Sequence, residues 1–242
     1  MLIPRIAAPR HAMRASQKTR QLIAFTGLAL FNEHGERSVS TNHIAAAAGM
    51  SPGNLYYHFS NKQEIVALLF SDYQAQVKRA LALDPLSDQG MPGLRNCVEG
   101  IIAAIWDYRF IYRDLEHLLQ ADQELALQHR AFSAACLREG RKFLEALCRC
   151  QILFMTGQEQ QTVAINAWLI LTSWVRYLQT TLPGPARLTV PAVRRGAWQA
   201  LSLLQGFVTP TARPAFAELM LSFRGVDQPE RPGRLAALAA GT

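Results

Sequence analysis

Between Ser51 and His58 the chain gathers Ser51, Gly53, Asn54, Tyr56, Tyr57 and His58, and no acid stands among them. Hydroxyl, amide and imidazole groups of this kind bond phosphate oxygens and base edges. A glycine at a helix start lets the backbone come close to such a partner, and the free N–H groups there favour an anion. Lys62 adds a positive charge just beyond. The bland alternative, a set of core aromatics, holds for Phe59 but not for the tyrosine pair. Adjacent helix positions point about 100° apart, so Tyr56 and Tyr57 cannot both face one core.

Other chemistry is sparse. The four cysteines (Cys97, Cys136, Cys148 and Cys150) lack the spacing of a disulfide framework. The pair Cys148-x-Cys150 has no second pair or histidine cluster nearby to complete a tetrahedral site, so it reads as reduced thiols, without a metal. The six histidines are scattered, with His117 and His129 too far apart for one helical turn. No nucleophile elbow, zinc helix, phosphate-cradling loop or dinucleotide fingerprint is present. The expectation is a protein that is not an enzyme, with no catalytic residues and no cofactor.

The elements that must position the Ser51–His58 group are short helices. A first helix is predicted over 16–34, with Leu22, Ile23, Phe25, Leu28, Ala29 and Phe31 as its apolar face and Gly35 as its stop. Ser40 or Thr41 caps a second helix, which Gly49 ends. Ser51-Pro52 reads as a cap and first-turn proline opening a third helix through His58. Asn61 opens a long fourth helix with Ile65, Val66, Leu69, Tyr73 and Val77 on one side. Two short helices around a glycine turn must cross steeply; Ala45 and Ala48 supply small contacts, and Ile44, Leu55 and Phe59 the anchors.

The stretch from Asp84-Pro85 to Pro92-Gly93 is a predicted boundary, dense in Pro, Gly, Asp and Ser. Helices are predicted beyond it at 93–110, 112–119, 122–150, 159–180, 191–207 and 214–223. The fold class is therefore all-α: a basic arm over 1–16, a helix-turn-helix head with its connecting helix over 17–83, a larger helical domain over 84–227 and a tail over 228–242. Half of the 242 residues are hydrophobic and 18% are charged, which supports a sizeable core. Net charge is +7, and residues 1–82 hold +5 of it, an excess at one end that suits a polyanionic partner.

The stretch from Lys18 to Ile65 resembles the DNA-binding domain of the TetR family of bacterial regulators. The likeness rests on Gly-Asn-Leu-Tyr-Tyr-His-Phe (Gly53 to Phe59), Leu30-Phe31…His34-Gly35, Ile44-Ala45…Ala48-Gly49 and Ser60-Asn61-Lys62-Gln63-Glu64. It implies a homodimer in which each subunit places the Pro52–His58 helix in a major groove of a palindromic operator in double-stranded DNA. Thr41, Lys62 and Tyr56 or Tyr57 would then touch phosphates. Gly53, Asn54 and His58 would reach base edges, with Ser51 beside them. Pro52 stands where many members carry a side chain able to reach DNA.

The larger domain is rich in aromatics. A pocket between helices, mostly apolar with a few polar groups, is the form a small-molecule site takes. Trp106, Tyr108, Phe110, Tyr112, His117 and Trp168 are the candidates to line one, and an apolar or aromatic ligand is the expected occupant. The resemblance implies a repressor released when this ligand binds. A second reading keeps the DNA-binding head but gives the larger domain a protein partner and no small-molecule switch. Ile165, Leu169, Thr172, Trp174 and Leu178, with Trp198, Leu201 and Leu204, are candidates for a dimer interface. The N-terminus lacks the apolar run of a signal peptide, and Val163–Val175 is too short to span a bilayer; a cytoplasmic protein with no membrane partner is expected.

Overall fold

A computed structural model of the chain describes residues 10–82, 90–181 and 188–224. Among them lie α1 (Arg10–His34), α2 (Thr41–Ala47), α3 (Pro52–His58), α4 (Lys62–Leu81), α5 (Met91–Asp107), α6 (Arg109–Ala121), α7 (Gln123–Arg149), α8 (Gly157–Thr181), α9 (Val190–Ser202) and α10 (Arg213–Phe223). The all-α prediction holds. Residues 1–9 of the expected basic arm and the whole of the expected tail lie outside the described residues. The first helix starts at Arg10, ahead of its predicted start at Ser16, and ends at His34 as expected.

The head is built around the face of α1 that carries Ile23, Ala24, Gly27 and Phe31, whereas Leu22, Phe25 and Ala29 are exposed. This reverses part of the predicted apolar face. The cause is Gly27, where a side chain's first carbon would sit only 3.3 Å from Ile65 and 3.5 Å from Ile44. Side chains of α2 and α4 press against that glycine, and the residues in line with it at four-residue spacing, Ile23 and Phe31, are in the core. A search for large apolar residues passes over such a position.

Local capping fixes the three short joints. Ser40 and His43 form a reciprocal capping box at α2, while Ser51 and Asn61 accept backbone N–H bonds from Asn54 and Glu64 at α3 and α4. Gly35 (φ +89°) and Gly49 (φ +67°) take the left-handed turns that end α1 and separate α2 from α3. All five residues predicted for the buried side of α4 are buried. The head-proximal end of α4 packs on α1, and its remainder packs against α5 and α7 of the larger domain.

The predicted helix over 191–207 is shorter in the structure. After Ser202 the backbone tightens into a 3-10 turn at Gln205–Phe207, because Val208 pairs with Leu153 in an antiparallel bridge. Phe154 N–H donates to the Phe207 carbonyl (2.8 Å) and Thr209 N–H to the Ile152 carbonyl (3.0 Å). The bridge needs backbone groups that a continuing helix would consume. On its other side α7 ends at Arg149, and Gln151, just past the cap, is a non-glycine residue at φ +56° whose carbonyl accepts the Thr209 hydroxyl (2.7 Å). Left-handed backbone costs about 1–2 kcal/mol at such a residue, against roughly 0.5–1 kcal/mol of extra unfolded-state entropy for glycine. Gln151→Gly should therefore stabilise the fold by about 0.5–1 kcal/mol, read as a rise of roughly 1–4 °C in melting temperature; a fall would show that the Gln151 side chain holds the joint.

Candidate nucleic-acid interface and ligand cavity

Helix α3 is seven residues long and turns Leu55 into the core, with Phe59 following it. Ser51, Gly53, Asn54, Tyr56 and Tyr57 remain exposed, Tyr57 at 81%. Nothing lies within 4 Å of the point where a side chain on Gly53 would begin, so backbone there is open to an approaching surface. The hydroxyls of Thr41 and Tyr56 bond each other across 2.9 Å, tying the start of α2 to α3. Tyr57 is thus the phenol with its hydroxyl uncommitted, and its ring meets His58 edge-on at 5.1 Å. Arg20 on α1 donates to the His58 carbonyl (2.5 Å) while its guanidinium lies 4.0 Å from the centre of the Phe59 ring. A cation at a helix C-terminus satisfies the last carbonyls and opposes the dipole. Arg20 therefore sets the tilt of α3; its 38-residue separation from His58 hides this role from a motif search.

Lys62 faces inward. Its ammonium pairs with Glu36 Oε1 (2.8 Å) and donates to the carbonyls of Glu36 (2.9 Å) and Val39 (3.0 Å). An ammonium has three donors, and all are spent inside the protein. Lys62, expected at a DNA phosphate, here clamps the loop between α1 and α2 onto α4. Glu36 is only 5% exposed and its second oxygen lies 3.5 Å from His117 on α6. Around it, the Glu36 N–H donates to Asp114 (2.9 Å) and Arg113 donates to the Phe31 carbonyl. Asn32 donates to the Asp107 carbonyl (2.7 Å) and accepts the Phe110 N–H (3.1 Å). This set of polar contacts docks the head onto the start of α6.

The larger domain holds a cavity of about 140 Å³ between α4, α5, α7, α8 and α9, with Tyr112 of α6 in its wall. Of the six predicted lining residues, Tyr112 and Trp168 border it. The others serve elsewhere. Phe110 packs on Phe31 (ring centres 5.3 Å apart), Trp106 lies under the Arg109 guanidinium, Tyr108 contacts Tyr73 from outside the cavity, and His117 faces Glu36. Sequence reasoning missed Tyr73, Cys97, Cys136 and Phe143 as wall residues. A hydroxyl on the otherwise apolar face of α4 was the available signal for Tyr73. Burial pushes the thiols of Cys97 and Cys136 up to about 12, so both stay neutral. Burial likewise raises the phenols of Tyr73 and Tyr112.

Two family models match the chain in tandem. One described as "Bacterial regulatory proteins, tetR family" covers residues 26–69, and one described as "Bacterial transcriptional repressor" covers residues 72–216.

The chain belongs to the TetR family.

A crystal structure of a TetR-family transcriptional regulator from Marinobacter aquaeolei VT8 is 32% identical, with a TM-score of 0.75, covering 85% of this chain and 98% of that one. Among curated relatives, the transcriptional regulator AcrR of Shigella flexneri is 39% identical over 56 residues, which are 23% of this chain and 26% of that protein. The regulator UidR of Escherichia coli K12 is 32% identical over 89 residues, 36% of this chain and 43% of that protein. The matched stretches thus span less than half the length of these curated relatives.

Within the TetR frame, the residues expected at a dimer interface separate into two groups. Leu178, Leu201 and Leu204 are buried within the subunit, and Thr172 borders the cavity. Trp174 donates from its indole to the Ala192 carbonyl (2.9 Å) and stacks on Tyr177. Ile165 and Leu169 stay exposed on α8, as does Tyr177. Among the described residues no helix is long and apolar enough to cross a membrane, and no group of three or more His, Cys, Asp or Glu side chains is placed to hold a metal.

The Lys62 clamp has a measurable signature. Lys62→Met leaves Glu36 buried without its main partner, so unfolding stability should fall by about 3 kcal/mol and the melting temperature by roughly 6–12 °C. A phosphate contact would behave oppositely, leaving stability unchanged and lowering the salt dependence of DNA binding by about one unit of slope.

Proposed function

We propose that the protein is a transcriptional repressor that binds a palindromic operator as a homodimer and is released by a small apolar or aromatic ligand. The observation that carries this reading is the exposed, acid-free set on α3, held on a frame whose every joint is capped. Asn54 and His58 are the residues proposed to meet base edges. The open backbone at Gly53 lets α3 sit deep in a major groove. Thr41, Ser51, Tyr56 and Tyr57 are proposed to meet phosphates, while Lys62 acts by holding the head together.

A seven-residue helix offers less than two turns to a groove, too little to specify a site alone. Pairing two heads on a palindrome overcomes that limit. The exposed α8 residues Ile165, Leu169 and Tyr177, at four- and eight-residue spacing, offer an apolar face for the second copy. The apolar cavity between α4, α5, α7, α8 and α9 favours a ligand switch over the reading in which the larger domain holds a protein partner.

Two helices connect cavity to head. Helix α6 carries Tyr112 in the cavity wall and, beside it, Arg113, Asp114 and His117 at the head; α4 carries Tyr73 and Lys62 in the same way. A ligand that fits one arrangement of these helices better than another shifts the population of head positions by its difference in affinity.

The test is binding to DNA from upstream of the protein's own gene and to a random fragment pool, across a salt series. Wild-type protein should select a palindrome with two chains per site, and affinity should fall steeply with salt. Tyr57→Ala should weaken that binding about tenfold without moving the melting temperature, since the side chain is 81% exposed. Absence of any selected sequence from the pool would overturn the proposal.

A further inference from the structure

Two phenol hydroxyls meet in the cavity wall. Tyr73 of α4 and Tyr112 of α6 are both buried, and their hydroxyls hydrogen-bond each other. Each phenol has one proton. When one hydroxyl donates to the other, the accepting hydroxyl keeps a proton for which no acceptor is present among the described residues. A buried donor left in this state is unfavourable, and an incoming acceptor relieves it. Among the other polar groups in the wall, the Thr172 hydroxyl already donates to the Trp168 carbonyl (2.8 Å), the Cys97 and Cys136 thiols are weak donors held neutral, and the Trp168 indole is a single donor on α8. None of the wall residues is Lys, Arg, Asp, Glu or His.

We propose that this cavity selects a neutral, single-ring-sized molecule bearing one hydrogen-bond acceptor oxygen, seated on the Tyr73–Tyr112 hydroxyl pair, and that it rejects organic cations. The inference rests on the reading of the cavity as the ligand site and narrows it to a chemical class. The volume of about 140 Å³ is that of a cavity able to hold a benzene-sized molecule. A ketone, ester or ether oxygen supplies the missing acceptor. A cation would lose its hydration with no carboxylate to meet it. The ring faces of Trp168, Tyr73 and Tyr112 attract positive charge, but recover only part of that loss.

The experiment is calorimetric titration of the full chain, without DNA, using acetophenone, its hydrocarbon isostere α-methylstyrene, and phenyltrimethylammonium. Acetophenone and α-methylstyrene should bind and phenyltrimethylammonium should not. In the Tyr73→Phe/Tyr112→Phe double variant, the affinity of the ketone relative to the hydrocarbon should fall about tenfold, because the ketone oxygen is then buried without a donor. Tyr112→Phe alone should preserve the preference, since the Tyr73 proton is then free to donate. A second readout needs no variant: the carbonyl stretch of bound acetophenone should lie below its position in hexane. An unshifted stretch, a ratio unchanged by the double variant, failure of acetophenone to bind, or equal binding of the ammonium would each overturn the proposal. Because DNA is absent from the titration, failure of the operator reading leaves this result intact. Ketone binding that does not release DNA would count against the switch and not against the selectivity.

Discussion

The buried carboxylate of Glu36 is the constraint on which the arrangement of this molecule depends. Removing a carboxylate from water is tolerable only when its partners are close and well placed. Here they come from two directions, Lys62 at the start of α4 and His117 on α6, while its backbone N–H is taken by Asp114. An apolar contact between head and body would permit sliding. Directional bonds at Glu36, Asn32 and Phe31 do not, so the head has a defined seat on α6. The position of α3 relative to the body follows from that seat.

The same geometry places the cavity wall and the seat of the head on shared elements. Tyr112 sits within the stretch of α6, Phe110 to His117, that receives the head, and α4 runs from Lys62 in the clamp to Tyr73 at the cavity. Any molecule that separates the Tyr73 and Tyr112 hydroxyls acts on the two helices that hold Glu36. Interactions of this kind favour discrete alternatives over gradual drift, because packed interiors have few intermediate arrangements. Helix α3 is rigid by contrast: Arg20 at one end and the Ser51 cap at the other leave it to move only with the head as a body.

What was legible in the sequence was what is decided locally. Ser40, Ser51 and Asn61 announce helix starts, and Gly35 and Gly49 announce turns, because capping and left-handed backbone involve neighbours a few residues apart. The exposed set on α3 was readable for the same reason. Partnerships across long sequence distances were not. Lys62 looked like a surface charge because Glu36 lies 26 residues away, and Arg20 gave no sign of His58. The α1 face was misread where Gly27, a residue without a side chain, meets side chains of α2 and α4. The cavity wall is assembled from separate helices, so aromatic density around Trp106–Tyr112 pointed to the right neighbourhood and captured Tyr112 while missing Tyr73. The end of α9 was decided by a bridge to Leu153, which no helical periodicity contains.

The central claim is that α3 is the element that enters DNA, and tethered cleavage tests it most directly. Gly53→Cys adds a side chain whose first carbon has nothing within 4 Å, so the fold should accept the thiol and an attached iron chelate. With Cys148 and Cys150 replaced by serine, and Cys97 and Cys136 buried, that thiol is the intended point of attachment. On a selected operator fragment, the account predicts two clusters of strand cuts, each within one half of the palindrome, separated by whole helical turns. Cleavage spread evenly along the fragment, or none from a chain that still binds it, would mean that another surface meets the DNA.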